Sequence, residues 1–131
     1  LTPYYTDDPM IMQQSVNCAR RVFEAAGVGP KDIDVALLYD AFTPEVVNQL
    51  EAFGFCGAGE ALDFVKSGAC AIDGELPLNT NGGLIGEAYV HGLNMVTEGV
   101  RQLRGVAANQ RKDAELVLFS SGNGAVILAK D

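Results

Sequence analysis

Three short apolar runs decide what this chain can fold into. They are Asp34-Val35-Ala36-Leu37-Leu38-Tyr39, Leu116 to Phe119, and Ala125 to Leu128. The first is too short for a helix and is bounded by turn formers, so it reads as a buried strand; the other two are apolar β-type runs. The tract Ser120-Ser121-Gly122-Asn123-Gly124 joins the last two and reads as a hairpin connection. Segments with helical spacing lie between and before these runs. Asp8-Pro9 opens the first, with Pro at the first helical position. Ile11, Val16, Ala19, Val22 and Phe23 follow at helical spacing, and Gly27, Gly29 and Pro30 end the segment. Thr43-Pro44-Glu45 opens the second, with Thr43 as cap and an acid in the first turn, and this helix should stop near Gly54. A short helix is expected from about Gly59 to Lys66, with Gly68 just past its end. A fourth runs from about Glu87 to Leu103, and Val90, Leu93, Val96, Val100 and Leu103 form its apolar stripe.

Helices alternating with apolar strands give an α/β class, a mixed sheet flanked by helices and ending in a β-hairpin. Three strands are few for a free-standing sheet, so the sheet is expected to be incomplete without more chain. Residues 68–86, rich in Gly, Pro and Asn, read as one long irregular loop. In a compact domain a loop of that length is usually functional.

The 131 residues suit one domain with one core. A net charge of −8 repels phosphate backbones, and no basic cluster offsets it, which argues against nucleic-acid binding. No apolar run approaches the roughly 20 residues of a membrane span, and the start lacks the pattern of a signal peptide. Cys18, Cys56 and Cys70 are widely spaced and form no metal pattern, so they read as reduced structural thiols of a cytoplasmic protein. A first residue of Leu instead of Met implies a chain processed or cut from something longer.

Four constellations could carry chemistry. Tyr39-Asp40 stands at a strand end, where ligands gather in open α/β sheets, although a core aromatic followed by a turn would look the same. Asn79-Thr80-Asn81-Gly82-Gly83-Leu84-Ile85-Gly86 is neither a dinucleotide fingerprint nor a Walker loop, and a tight structural turn would look the same. Its glycines would admit a ligand or another stretch of backbone. Glu87, Tyr89 and His91 fall at the expected start of the fourth helix, where an enolate or oxyanion would be favoured. Tyr89 and His91 diverge at that spacing, and Tyr89 is the stronger candidate. The tip Gly122-Asn123-Gly124 could aim amides at a ligand or be a plain turn.

Taken together and in order, these segments resemble a known family. VALLYDAFTPEVVNQLEAFGFCGAGE, then VKSG, then LPLNTNGGLIGEAYVHGLNMVTEGVRQLRG, then the terminal hairpin are similar to the C-terminal half of the thiolase superfamily. The likeness covers nearly all the chain from about residue 9. Within the superfamily it is nearest to the lipid-transfer-protein (sterol-carrier-type) branch. The resemblance puts Tyr39 where the family has His or Asn, Tyr89 in place of the His of a Gly-His-Pro tract, and Ser120 to Gly124 in place of a Cys-x-Gly loop. Thiolysis needs that Cys and that His, and the family's nucleophilic Cys belongs to an N-terminal half absent here. Ordinary thiolase activity is therefore not expected.

The actinobacterial steroid side-chain aldolases, thiolase-like proteins with tyrosines at both positions, match better. The resemblance implies retro-aldol cleavage of a 17-hydroxy steroid CoA thioester to a 17-keto steroid and propionyl-CoA. Tyr39 and Tyr89 would be the acid/base pair, and the site would have to lower the pKa of whichever acts as base. Asp40 would orient the phenols, and the Gly122 to Gly124 tip would help bind the thioester oxygen. His91, Asn79, Gly82, Gly83 and Asn123 would support or bind substrate. No covalently bound cofactor and no metal is expected; the CoA thioester enters as substrate. The implied partners are the chain's own N-terminal thiolase half, a second copy in a homodimer, and a DUF35-type domain of an acyl-CoA hydratase. This chain alone is expected to be inactive. Two rivals stand beside the aldolase: a thiolase-fold protein that binds acyl-CoA or lipid without chemistry, and a scaffold subunit that only pairs with a partner.

Overall fold

The structure is a computed structural model and describes residues 9–87 and 90–131, with side chains from residue 13 onward. Strand β1 (Val35–Leu38) is fully buried along its length. It pairs in parallel with β2 (Leu116–Ser120), Val35 opposite Val117 and Leu38 opposite Ser120. Strand β3 (Ala125–Ala129) returns antiparallel to β2, with Ser120 opposite Ala125. Among the described residues this makes one mixed sheet of order β1-β2-β3, the hairpin included. Asp34 sets the register at its start. One carboxylate oxygen accepts the N–H groups of Glu115 and Leu116 at 2.8 and 2.9 Å.

The helices are α1 (Pro9–Ala26), α2 (Thr43–Ala52), α3 (Ala61–Lys66), α4 (Gly83–Gly86) and α5 (Leu93–Arg104). Successive strand side chains point to opposite faces, so β1 feeds two cores. Ala36 and Leu38, with Leu118, pack against Cys18, Ala19, Phe23, Leu50 and Phe53 from α1 and the α2 region. Val35 and Leu37, with Val117, pack against Met95 of α5. The layers are thus helix, sheet, helix.

Gly99 sets how closely α5 approaches. A Cβ there would lie 2.9 Å from Leu128 Cδ1 and 3.3 Å from Val117 Cγ1. Gly99→Leu should therefore cost about 3 kcal/mol through overpacking, read as a lowered urea midpoint for loss of helical signal in the full-length protein. A midpoint within error of wild type would mean that α5 rides farther from the sheet than described.

Three local expectations need correction. The cap of α2 is Phe42, not Thr43; Thr43 and Pro44 are the first two helical residues. The fourth predicted helix starts at Leu93, not Glu87. His91 (φ 49°) and Gly92 (φ 82°) are both left-handed, and a right-handed helix does not run through two such residues. Its first two stripe members, Val90 and Leu93, are consequently exposed, and the buried face is Asn94, Met95, Glu98, Gly99 and Gln102. Residues 68–86 are also less irregular than expected. Leu78 bridges to Ala36 in parallel, Ala36 N donates to Pro77 O at 3.0 Å, and Asn79 N donates to Ala36 O at 2.9 Å. The loop thereby occupies the edge of β1 that β2 leaves open.

Candidate active site

The parallel pair β1-β2 ends at Leu38 and Ser120, and the candidate residues gather around that end. Tyr39 N donates to Ser120 O at 2.8 Å, and Tyr39 O accepts from Gln49 Nε2 of α2 at 3.0 Å. The backbone of Tyr39 is therefore held from both sides. Its ring packs where a side chain at residue 92 would otherwise sit: a Cβ on Gly92 would lie 3.1 Å from Tyr39 Cδ2 and 3.2 Å from Phe119 Cζ. Gly92 thus serves twice, turning the chain into α5 and receiving an aromatic ring. His91 is exposed and precedes it directly. Tyr89 lies outside the described residues.

Asp40 follows at the mouth. Its Oδ1 accepts the N–H of Leu84 at 3.1 Å, and a Cβ on Gly83 would overlap its carboxylate. Gly82 (φ 88°) and Gly83 (φ 66°) are both left-handed, which glycine adopts without steric cost. The glycine tract is thus a seat for Asp40. Asn79 is engaged by the sheet instead. Its side-chain Oδ1 accepts from Leu38 N at 2.8 Å and its Nδ2 donates to Leu38 O at 2.9 Å, which continues the edge pairing. Beyond Asp40 an open cleft of about 700 Å³ is walled in part by Phe42, Pro44, Leu84 and Ile85. Phe42 is 53% and Ile85 98% exposed, so the cleft joins one carboxylate to apolar walls.

The hairpin tip meets this end from β2. Gly122 N donates to Ser120 Oγ at 2.9 Å, and Ser121 N donates to Gly124 O at 2.9 Å. The Gly122 amide is therefore used within the turn. Asn123 also borders a polar surface hollow beside Arg20 and Arg21 of α1.

Glu87 does not open a helix, so no helix N-terminus for an oxyanion stands at this residue. Its carboxylate accepts from Asn81 Nδ2 at 3.0 Å and from Arg101 Nη1 at 2.8 Å. The Asn81 bond first, then the Arg101 guanidinium, hold it below the ordinary carboxylate range. Burial pushes the thiols of Cys18, Cys56 and Cys70 up, in keeping with structural cysteines.

Sequence reasoning missed Glu98 and Gln102 and named Thr80 only as a member of the glycine-rich tract. All three are buried, with Glu98 only 2% exposed. Glu98 Oε1 accepts from Thr80 Oγ1 at 2.6 Å and from Gln102 Nε2 at 3.0 Å. The signal was present as Asn94, Glu98 and Gln102, a polar stripe at four-residue spacing on α5.

Comparison with known proteins accords with this architecture. The family described as thiolase C-terminal domain-like matches residues 4–130. The chain is 50% identical over 105 residues to the 17-hydroxy-3-oxo-4-pregnene-20-carboxyl-CoA lyase of Mycobacterium tuberculosis, covering 80% of this chain and 27% of that protein. It is 44% identical over 124 residues to the steroid side-chain-cleaving aldolase of Thermomonospora curvata, covering 95% of this chain and 32% of that protein. Human sterol carrier protein 2 is 34% identical over 120 residues, covering 87% of this chain and 22% of that protein. A solved structure of an Ltp2-ChsH2(DUF35) aldolase superposes with a TM-score of 0.89 at 42% identity, covering 98% of this chain and 35% of that one. The chain thus spans about a third or less of the length of these relatives. With a matching family over almost the whole chain and the same α/β half-domain in space, the chain belongs to the thiolase C-terminal domain-like family.

Proposed function

We propose that this chain is the C-terminal domain of a thiolase-like steroid side-chain aldolase acting on a CoA thioester. The observation that carries the reading is Tyr39, held from both sides at the end of β1 with its ring against Gly92, beside an Asp40 seated on the glycine tract. The relatives at 50% and 44% identity are named as a lyase and an aldolase of steroid side chains. The apolar walls at Phe42, Leu84 and Ile85 suit the entry of a rigid, apolar ring system next to a polar reacting centre.

The reaction needs no acyl-enzyme and no co-substrate. One tyrosine, as phenolate, takes the proton of the 17-hydroxyl. The bond between ring carbon 17 and the α-carbon of the thioester breaks, and its electron pair passes to the thioester as an enolate. The oxygen left on the ring becomes the 17-ketone. The other tyrosine, as phenol, protonates the enolate carbon and gives propionyl-CoA. Tyr39 and Tyr89 fill these two roles. Asp40 orients the Tyr39 side of the pair, and the Asn123 and Gly124 amides bear the developing thioester oxyanion.

The full protein would add the N-terminal half, a second copy as a homodimer and a DUF35-type partner domain, and would work in the cytoplasm. The exposure of Val90 and Leu93 beside the start of α5 supports cover from further protein on that side. No helix among the described residues is long and apolar enough to cross a membrane.

The test uses the full-length protein with its DUF35-type partner and a 17-hydroxy steroid CoA thioester. Equal amounts of 17-keto steroid and propionyl-CoA are expected, without added CoA. A bound but uncleaved ester would overturn the aldolase and favour the binding protein that the sterol carrier protein 2 likeness suggests.

A further inference from the structure

The glycine tract that seats Asp40 is short and left-handed at two residues, and it is tied to α5 at both ends. Thr80, at the head of the tract, is bonded on both its side chain and its backbone. Its hydroxyl donates to Glu98 Oε1 at 2.6 Å and accepts from Gln102 Nε2 at 2.9 Å, and its carbonyl accepts from Asn109 Nδ2 at 2.7 Å. At the other end, Glu87 is clamped between Asn81 Nδ2 and Arg101 Nη1, and Asn81 Oδ1 accepts from Gly83 N at 3.1 Å. Arg101 joins the two ends, since the same Nη1 lies 3.9 Å from Glu98 Oε2. A continuous polar chain therefore runs Glu98, Arg101, Glu87, Asn81, Gly83, and reaches Asp40 through Leu84 N.

We infer that Glu98 and Arg101 are positioning residues, which fix the 79–87 loop on α5 and so set where Asp40 stands beside Tyr39. Burying a carboxylate is a poor way to stabilise a fold, because a well-packed apolar residue of similar volume is often at least as stabilising. In some proteins a buried polar group instead fixes one arrangement of the groups around it, and here those groups are the loop and its arginine. The described hydrogen bonds and ion pairs of the Glu98 and Arg101 side chains go to the loop and within α5. Both act through the loop.

This inference deepens the aldolase reading and rests on it for the chemistry, but the loop has its own readout. Arg101→Met, Arg101→Lys and Glu98→Gln would be made in the full-length protein. In Arg101→Met, amide exchange at Leu84 and Gly86 should rise at least tenfold, while the sheet amides of Ala36 and Leu118 stay within twofold. The release of propionyl-CoA should show kcat down about tenfold with KM within threefold, and Arg101→Lys should recover most of that loss. Glu98→Gln, which keeps the shape and removes the charge facing Arg101, should show the same pattern at smaller size. Unchanged exchange at Leu84 would overturn the inference. So would exchange that rises equally in loop and sheet, since that is loss of stability and not of position. A wild-type protein that cleaves no ester would overturn the aldolase reading alone, and the exchange data would still decide the role of Arg101.

Discussion

Tyr39→Phe in the full-length protein should lower kcat for steroid side-chain cleavage by about a thousandfold and leave KM within threefold. The size follows from general acid–base catalysis, which typically contributes 10²–10⁴-fold. The clean split follows from the geometry. Phenylalanine keeps the ring that packs on Gly92, and the backbone bonds to Ser120 and Gln49 do not involve the phenol. Only the proton-carrying oxygen is removed. Tyr89→Phe should match it, and the double variant should be little worse than either single one, because an acid and a base that serve one proton circuit fail together. Product release by chromatography under saturating ester is the measurement. Activity within threefold of wild type in both single variants would leave the reaction standing and remove the tyrosine pair from it.

Strand β1 was legible because burial on both faces writes itself as an unbroken apolar run. Val35 to Leu38 is such a run, and all four residues are fully enclosed. The position of Tyr39 and Asp40 was legible for a related reason: they are the first residues past a buried strand. The start of α5 was not. The stretch from Glu87 onward has apolar residues at helical spacing, and periodicity cannot report that His91 and Gly92 are left-handed. Tertiary contacts made that choice, since Glu87 bonds to Asn81 and Arg101 instead of opening a helix.

Asn79 shows the opposite case. An amide in a glycine-rich loop suggested a ligand contact, and its donor and acceptor both serve Leu38. Nothing local in the sequence distinguishes an asparagine that completes a sheet edge from one that awaits a substrate. Glu98 was hidden because this helix, α5, was read through its apolar stripe alone. Part of its polar side faces a loop whose own backbone and hydroxyl need partners, so a carboxylate is buried there.

Gly83→Val is expected to have the second large effect, and a cycle with Asp40 identifies its cause. At φ 66° a β-branched residue is strained by about 1 kcal/mol or more, wherever its side chain points. Here the side chain also points into the Asp40 carboxylate, which must swing away and give up the Leu84 N–H. Two losses should follow. Unfolding stability should fall by about 2–3 kcal/mol, and kcat should fall at least a hundredfold because the loop no longer seats Asp40 beside Tyr39. Gly83→Ala in an Asp40→Ala background separates the terms. Strain at residue 83 remains there, but the overlap is gone, so the stability cost of Gly83→Ala should shrink by about 1 kcal/mol relative to its cost beside the native aspartate. An equal cost in both backgrounds would mean that Gly83 is kept for its backbone angle alone. The glycine would then be a turn residue, and the contact with Asp40 a consequence of the turn and not the reason for it.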